Sequence, residues 1–170
     1  MKLLKDFPEA YDLIYKLLQP TPNSRPSAAK VWNHPLFWDP ETRLSFLRDV
    51  SDRVDLERRR SKLVNSLERL KNNYQDWKSK IEPLLITKME AYRKYDYNSI
   101  RHLLRGIRNN FNHYGNLSKF LKCMFGDEPA GIDGYFSEKF PKFFMEVYNV
   151  LEKNVVVGET LHKYYKHGEF

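Results

Sequence analysis

This chain of 170 residues has a single cysteine, Cys123. One thiol excludes an internal disulfide. With no cluster of Cys and His either, a structural zinc has no ligand set, and a reducing compartment is favoured. Cys123 lies in Leu-Lys-Cys-Met-Phe, an apolar surround that predicts a small core residue rather than a reactive thiolate. No apolar run approaches the ~20 residues a membrane span needs, so direct membrane insertion is not expected. Met1-Lys-Leu-Leu-Lys5 runs at once into Asp6 and Pro8, which does not read as a signal peptide. A Gly-rich phosphate loop is missing, and no Ser or His has nucleophile-elbow context. The acids mostly alternate with bases on helical segments, so no carboxylate pair reads as a hydrolytic dyad. Strand alternation is missing too; Val155-Val-Val157 is β-prone but has no partner run.

What is present is aromatic, basic and helical. Aromatics make up 15% of the chain and the net charge is +7. The first implies a sizeable core in one domain, or one domain plus a fragment. The second is either plain solubility or the mark of a polyanionic partner, nucleic acid first among them. Helical spacing is legible from Pro8 to Gln19 and again from Ala28 to Asn33, followed by an aromatic hinge at His34 to Trp38. Asp39 and Pro40 open a charged helix whose apolar positions, Leu44, Leu47, Val50 and Val54, predict continuation through Leu63, Leu67 and Leu70. Residues 71–77 read as a loop anchored by Trp77. Pro83 opens a helix to Tyr92. Asp96 to Ser99 caps another, with Ile100, Leu103, Leu104, Ile107 and Phe111 on its apolar stripe. Leu117 to Phe125 is a weaker helix, residues 126–134 are turn-rich, and Tyr135 to Lys153 forms the last helix, with Pro141 near its start or kinking it. The fold class is all-α.

Chemistry concentrates in one stretch. Residues 105–113 carry Arg105, Arg108, Asn109, Asn110, Asn112 and His113. Arginine offers phosphate oxygens a charged donor fork, histidine exchanges a proton near neutral pH, and amides orient oxygens without changing charge. At about 100° per residue the apolar stripe stays within roughly 60° of Ile100, which places Arg101, Arg105, Arg108, Asn109 and His113 on the open arc. Asn109 and His113 are i,i+4 neighbours and can meet. Arg108 and His113 converge only if the helix ends near Phe111 or long side chains bend inward. The competing reading of the same stretch is a solvated face with an ordinary histidine. Among Tyr92, Tyr95 and Tyr97, the one expected to keep its hydroxyl near a basic pocket is Tyr95, which follows Arg93 and Lys94.

Several strings together carry a resemblance. Asp12-Leu-Ile-Tyr-Lys-Leu-Leu, Arg25-Pro-Ser-Ala and His34-Pro-Leu-Phe-Trp38 are similar to the last helices of a protein-kinase C-lobe. Phe46-Leu-Arg-Asp-Val-Ser-Asp-Arg53, Tyr92-Arg-Lys-Tyr95, Ile100 to Asn109, His113-Tyr114 and Tyr135-Phe-Ser-Glu-Lys-Phe-Pro141 resemble the kinase-extension nuclease (KEN) domain of the inositol-requiring-enzyme family of unfolded-protein-response sensors and, more distantly, RNase L. The plain connection from Arg58 to Trp77 looks most like plant members. The resemblance implies a C-lobe remnant over residues 1–35 and a compact helical ribonuclease domain over 36–168.

It also implies a function. Members cut RNA stem-loops without metal, by attack of a 2′-hydroxyl that leaves a 2′,3′-cyclic phosphate and a 5′-hydroxyl, in mRNA splicing and decay. Carried over by position, Tyr95, Arg108, Asn109 and His113 match the catalytic set. His113 suits the acid, while Tyr95 suits a base or a holder of the 2′-hydroxyl; a phenol, near pKa ~10, acts as a base only where cations lower it. Arg108 and Asn109 suit the phosphoryl oxygens, and Arg105, Arg101 and Lys94 suit the RNA backbone. Where many sensors carry a Lys and a second His, this chain has Asn110 and Asn112, which bears on RNA affinity and preference. No cofactor is expected for the nuclease; ATP or ADP and Mg belong to kinase motifs this chain lacks. The expected partners are RNA and a second copy of the chain, a homodimer that is weak in a fragment. The expected location is the cytosol, at the cytosolic face of the endoplasmic reticulum in a longer protein. Two alternatives stand beside this: a module of the same fold for RNA binding or dimerisation without turnover, and an antiviral nuclease of the RNase L type.

Overall fold

Helix α3 (Pro40–Leu56) is the spine of the molecule, and the reasons are local. Asp39 caps it, accepting from the Thr42 amide at 2.7 Å, and Pro40 supplies a preset first turn. Leu44, Phe46, Leu47, Val50 and Val54 are buried, so α3 is covered on more than one side. The computed structural model describes residues 7–154 and 159–165, and among these there is no strand. The expected β-prone run, Val155 to Val157, lies outside the described residues.

Among the described residues two α-helices precede α3, α1 (Pro8–Leu17) and α2 (Ala28–Trp32), and the hinge after them is stapled from both sides. His34 Nδ1 accepts from the Leu36 amide at 3.1 Å, and its Nε2 lies 3.1 Å from Asp12 of α1. Burial pushes the Asp12 carboxyl up, but hydrogen bonds from His34, Lys16 and Asn149 outweigh it and bring it down to about 2. Trp38 packs edge-on against Phe46, Phe144 and Tyr148 at 5.7–6.0 Å between ring centroids. Arg43 ties the layers together. Its guanidinium reaches Glu9 of α1 at 2.8 Å and Asp133 at 2.9 Å, and lies 4.0 Å from the Phe144 ring centroid.

The charged helix does not continue to Leu70. It stops at Glu57, where ψ turns to 148°, and α4 (Lys62–Glu68) starts afresh under a Ser61 cap. The linker holds Arg58, Arg59 and Arg60, three like charges with no apolar residue to bury. The expected loop at 71–77 contains a 3-10 turn, Arg69–Asn73, before Trp77, which is buried as anticipated. Next come α5 (Pro83–Glu90), α6 (Ile100–Asn112) and α7 (Lys119–Phe125).

The expected last helix is two. Helix α8 (Ala130–Lys139) begins inside the stretch read as turn-rich, and α9 (Phe143–Lys153) follows a break at Phe140 next to Pro141. Gly131 allows the early start: a Cβ there would sit 2.1 Å from the Phe125 carbonyl oxygen. Cys123 is exposed on α7, not in the core, because Leu121 and Phe125 take the inward positions of that short helix. A short helix α10 (Glu159–His162) leads to Tyr164, whose ring packs 5.1 Å from Phe46. Among the described residues no helix is long and apolar enough to cross a membrane.

Candidate active site

Helix α6 is held at its N-terminus by two side chains. The Ser99 hydroxyl accepts from the His102 amide, and Glu68 of α4 accepts from the Ser99 hydroxyl at 2.7 Å and from the Ile100 and Arg101 amides at 3.2 and 3.0 Å. A carboxylate there answers both the unpaired amides and the helix dipole. Ile100, Leu103, Leu104 and Ile107 are buried, so the apolar stripe faces the core as its spacing requires. The helix runs to Asn112, and His113 is its C-cap, with φ −116° and ψ 22°.

One face of α6 meets the loop that carries Tyr95. Gly106 makes the approach possible, since a Cβ there would lie 2.8 Å from Met89 Cε and 3.9 Å from the Tyr95 ring. Trp77 stands edge-on to Tyr95 at 6.0 Å and to Tyr97 at 4.7 Å. The Tyr95 hydroxyl accepts from the Asn109 amide at 3.0 Å. Tyr95, Asn109 and exposed His113 line one pocket of about 260 Å³ between α5 and α6, floored by Met89 and Leu117. Three of the four residues expected to be catalytic are therefore together.

Arg108 is the fourth, and its guanidinium turns the other way. It donates to Asp52 at 2.6 Å and to Asp55 at 3.0 Å, both on α3, while its Nε lies 3.4 Å from Asn109 Oδ1. The helix end after Asn112 does not swing it toward His113. Arg105 requires a correction. It is not on an open arc: it is 6% exposed and bonded to Asp55 through Nε and Nη2. Arg101 donates to the same carboxylate at 3.2 Å. Three guanidiniums thus share Asp55. Burial pushes that carboxyl up, but hydrogen bonds and charge from Arg105, followed by Arg101 and Arg108, hold it below the usual carboxylate range.

A second, larger cleft of about 790 Å³ opens on the neighbouring side of α6. Lys94, Arg101 and Arg105, the residues expected along the RNA backbone, all line it, and Arg59 and Arg93 join them. His102 was not anticipated. Its Nδ1 accepts from the Asp96 amide at 2.6 Å and its ring stands perpendicular to Tyr95 at 6.1 Å, so it orders the loop on which Tyr95 sits. Burial and then the Arg105 charge push its pKa down, toward the neutral ring that can accept that bond. Its place three residues after a capping Ser99 was the available signal. Among the described residues no group of three or more His, Cys, Asp and Glu has the arrangement to hold a metal ion.

The α3–α6 core and the pocket fall inside a family match: the model for ribonuclease 2-5A covers residues 43–165. The chain belongs to this family. The chain is 45% identical over 168 residues to Arabidopsis thaliana serine/threonine-protein kinase/endoribonuclease IRE1a, covering 96% of this chain and 20% of that protein. It is 38% identical over 160 residues to the Schizosaccharomyces pombe sensor for unfolded proteins in the ER, ire1, covering 92% of this chain and 15% of that one. An Arabidopsis protein named as an inactive IRE1-like serine/threonine-protein kinase/endoribonuclease is 37% identical over 174 residues, covering 92% of this chain and 31% of its own length. The chain thus spans about a fifth of the IRE1a relative, and its match takes in α1 and α2 ahead of the ribonuclease 2-5A region.

Proposed function

We propose that this chain is an endoribonuclease domain that cuts RNA stem-loops without a metal cofactor, with residues 1–35 the end of a kinase C-lobe and 36–168 the nuclease. The observation that carries the reading is the joint placement of Tyr95, Asn109 and His113 in one pocket beside a basic cleft. In the reaction the 2′-oxygen bonds to the adjacent phosphorus while the bond from phosphorus to the 5′-oxygen breaks. The 2′-hydroxyl proton leaves to a base, and the departing 5′-oxygen takes a proton from His113. Tyr95 holds or deprotonates the 2′-hydroxyl, and the Asn109 amide already bonded to it sets its orientation. Arg108 reaches the phosphorane by exchanging Asp52, the exposed partner, for a phosphoryl oxygen. Lys94 and Arg101 meet the flanking backbone. Buried Arg105 holds Asp55, and through it Arg101 and Arg108, in place.

The parent protein, on this reading, is a sensor of unfolded proteins at the endoplasmic reticulum with this chain on the cytosolic side, acting in mRNA splicing and decay. A second reading, a folded module without turnover, has a specific support in the similarity to a relative named as inactive. One assay separates the two. A labelled RNA stem-loop incubated with the chain in EDTA gives discrete fragments ending in 2′,3′-cyclic phosphate if the domain is a nuclease. Cleavage only with added magnesium would refute the mechanism, and binding without fragments at high protein concentration would establish the module. The active form is a side-by-side homodimer. Two copies each carrying +7 repel, so specific activity rises with protein concentration.

A further inference from the structure

The pocket that holds Tyr95, Asn109 and His113 is not built like a phosphate site. Its floor is the buried pair Met89 and Leu117, its outer wall is the ring of Tyr92, and its polar lining includes three neutral amides, Asn109, Asn110 and Asn116. Its one lining lysine or arginine, Lys88, donates to the Tyr92 hydroxyl at 2.9 Å and lies 4.6 Å from that ring's centroid. The basic residues gather in the neighbouring cleft instead. An apolar floor, an aromatic wall and convergent amides suit a flat heteroaromatic ring, and RNA supplies one whenever a base splays out of its stack. Tyr92 is 78% exposed, an aromatic face left open for stacking.

Asn110 is the buried amide of this pocket. Its side chain is nearly closed off, at 4% exposure, yet it lines the pocket. Its Nδ2 donates to the Gly106 carbonyl at 2.9 Å. A carbonyl accepts only, so the amide orientation is fixed, with Nδ2 engaged and Oδ1 left as the acceptor of Asn110.

We infer that this pocket takes one nucleobase of the RNA beside the scissile phosphate, stacked on Tyr92, and that Asn110 Oδ1 reads an N–H on its edge. The inference rests on the nuclease reading for its position along the strand, but its test does not require turnover. Short RNA strands with a single 2′-deoxy sugar cannot be cut at that position. Four such strands, differing only in the base at that sugar, are titrated with the full chain by fluorescence anisotropy. The wild type is expected to separate the best base from the worst by about tenfold or more, as a site built around one hydrogen bond rejects partners that lack it. Asn110→Ala is expected to flatten the four affinities to within about twofold. Tyr92→Leu, at an exposed position, is expected to weaken all four alike.

The ligand supplies a control that needs no variant. Replacing the preferred base by its analogue without the edge N–H should cost the wild type about tenfold. Equal affinity for all four bases, or full affinity for the analogue, overturns the proposal, as does undiminished discrimination by folded Asn110→Ala. Uncut stem-loops in EDTA with base discrimination intact would remove the nuclease and keep the pocket. Cleavage with no discrimination would do the reverse.

Discussion

Asp55 carries more of this site than any other acid, and Asp55→Asn tests how much. The substitution keeps the shape but removes the charge that Arg101, Arg105 and Arg108 share, and turns an N–H₂ toward guanidiniums that only donate. Breaking a fully buried ion pair costs about 3–5 kcal/mol, because the remaining charge is left unpaired. Here the Arg105 side chain is 8% exposed, while those of Arg101, Arg108 and Asp55 are 17%, 14% and 22% exposed, and Arg108 keeps Asp52. Water relieves part of the loss, so the expected cost is about 2–3 kcal/mol. For a domain of this size that is a fall in melting temperature of roughly 4–12 °C. Calorimetry reads it directly. The double variant Asp55→Asn with Arg105→Met should recover at least half of the loss, since an apolar side chain leaves no buried charge behind. The effect also carries a pH signature. The folded carboxyl sits below its unfolded value, so its stabilisation is present above pH ~4 and fades as pH falls through the folded value; Asp55→Asn should lose that part of the acid slope. A single variant melting within about 1 °C of wild type, or a double variant no better than the single, would show that the shared carboxylate does not support α6.

Four further outcomes follow from other parts of the molecule. His113→Ala should cut stem-loop cleavage by about 10²–10⁴-fold with an unchanged melting temperature, because an exposed C-cap leaves no cavity; a near-normal rate would return the segment to a solvated face. Gly131→Ala should destabilise by at least about 2 kcal/mol, read by urea unfolding, because the new methyl meets backbone at 2.1 Å and not a movable side chain. Asp12→Asn should be costly at pH 7 and nearly silent at pH 2, since the Asp12 carboxyl at about 2 contributes stability above pH ~4 that is lost as pH falls toward 2. Cleavage should peak at intermediate salt, because ions relieve repulsion between copies but weaken phosphate contacts; a rate indifferent to salt would contradict both effects.

The amino-acid pattern exposes some of these features and conceals others for identifiable reasons. Helix α6, its Ser99 cap and the i,i+4 pairing of Asn109 with His113 are local facts, and local periodicity reveals them. The fate of Arg105 is not local. A helical wheel places it off the apolar stripe but cannot show that Asp55 waits there on α3. The break at Glu57 is hidden because three- and four-residue apolar spacing resumes at Leu63 and Leu67, although Leu63 falls about 180° out of phase with Val54 across the arginine linker. The split between α8 and α9 turned on whether Pro141 kinks a helix or separates two. Cys123 looked inward because its neighbours in sequence are apolar, yet α7 is too short to bury more than the side that holds Leu121 and Phe125. The pocket floor was illegible in the same way, since Met89 and Leu117 are remote in sequence and meet only through α5 and the turn after α6.

Arg43 has a mechanical consequence. One guanidinium grips α1 through Glu9 and α8 through Asp133 while lying over Phe144, and separating α1 from the rest would take away one of its two carboxylates. A joint of that kind resists bending. Whatever moves the segment ahead of α3 must carry the whole helical body with it, as a handle moves a blade. Movement of the N-terminal segment is therefore expected to alter where the pocket is held and what faces it more than the pocket's own shape.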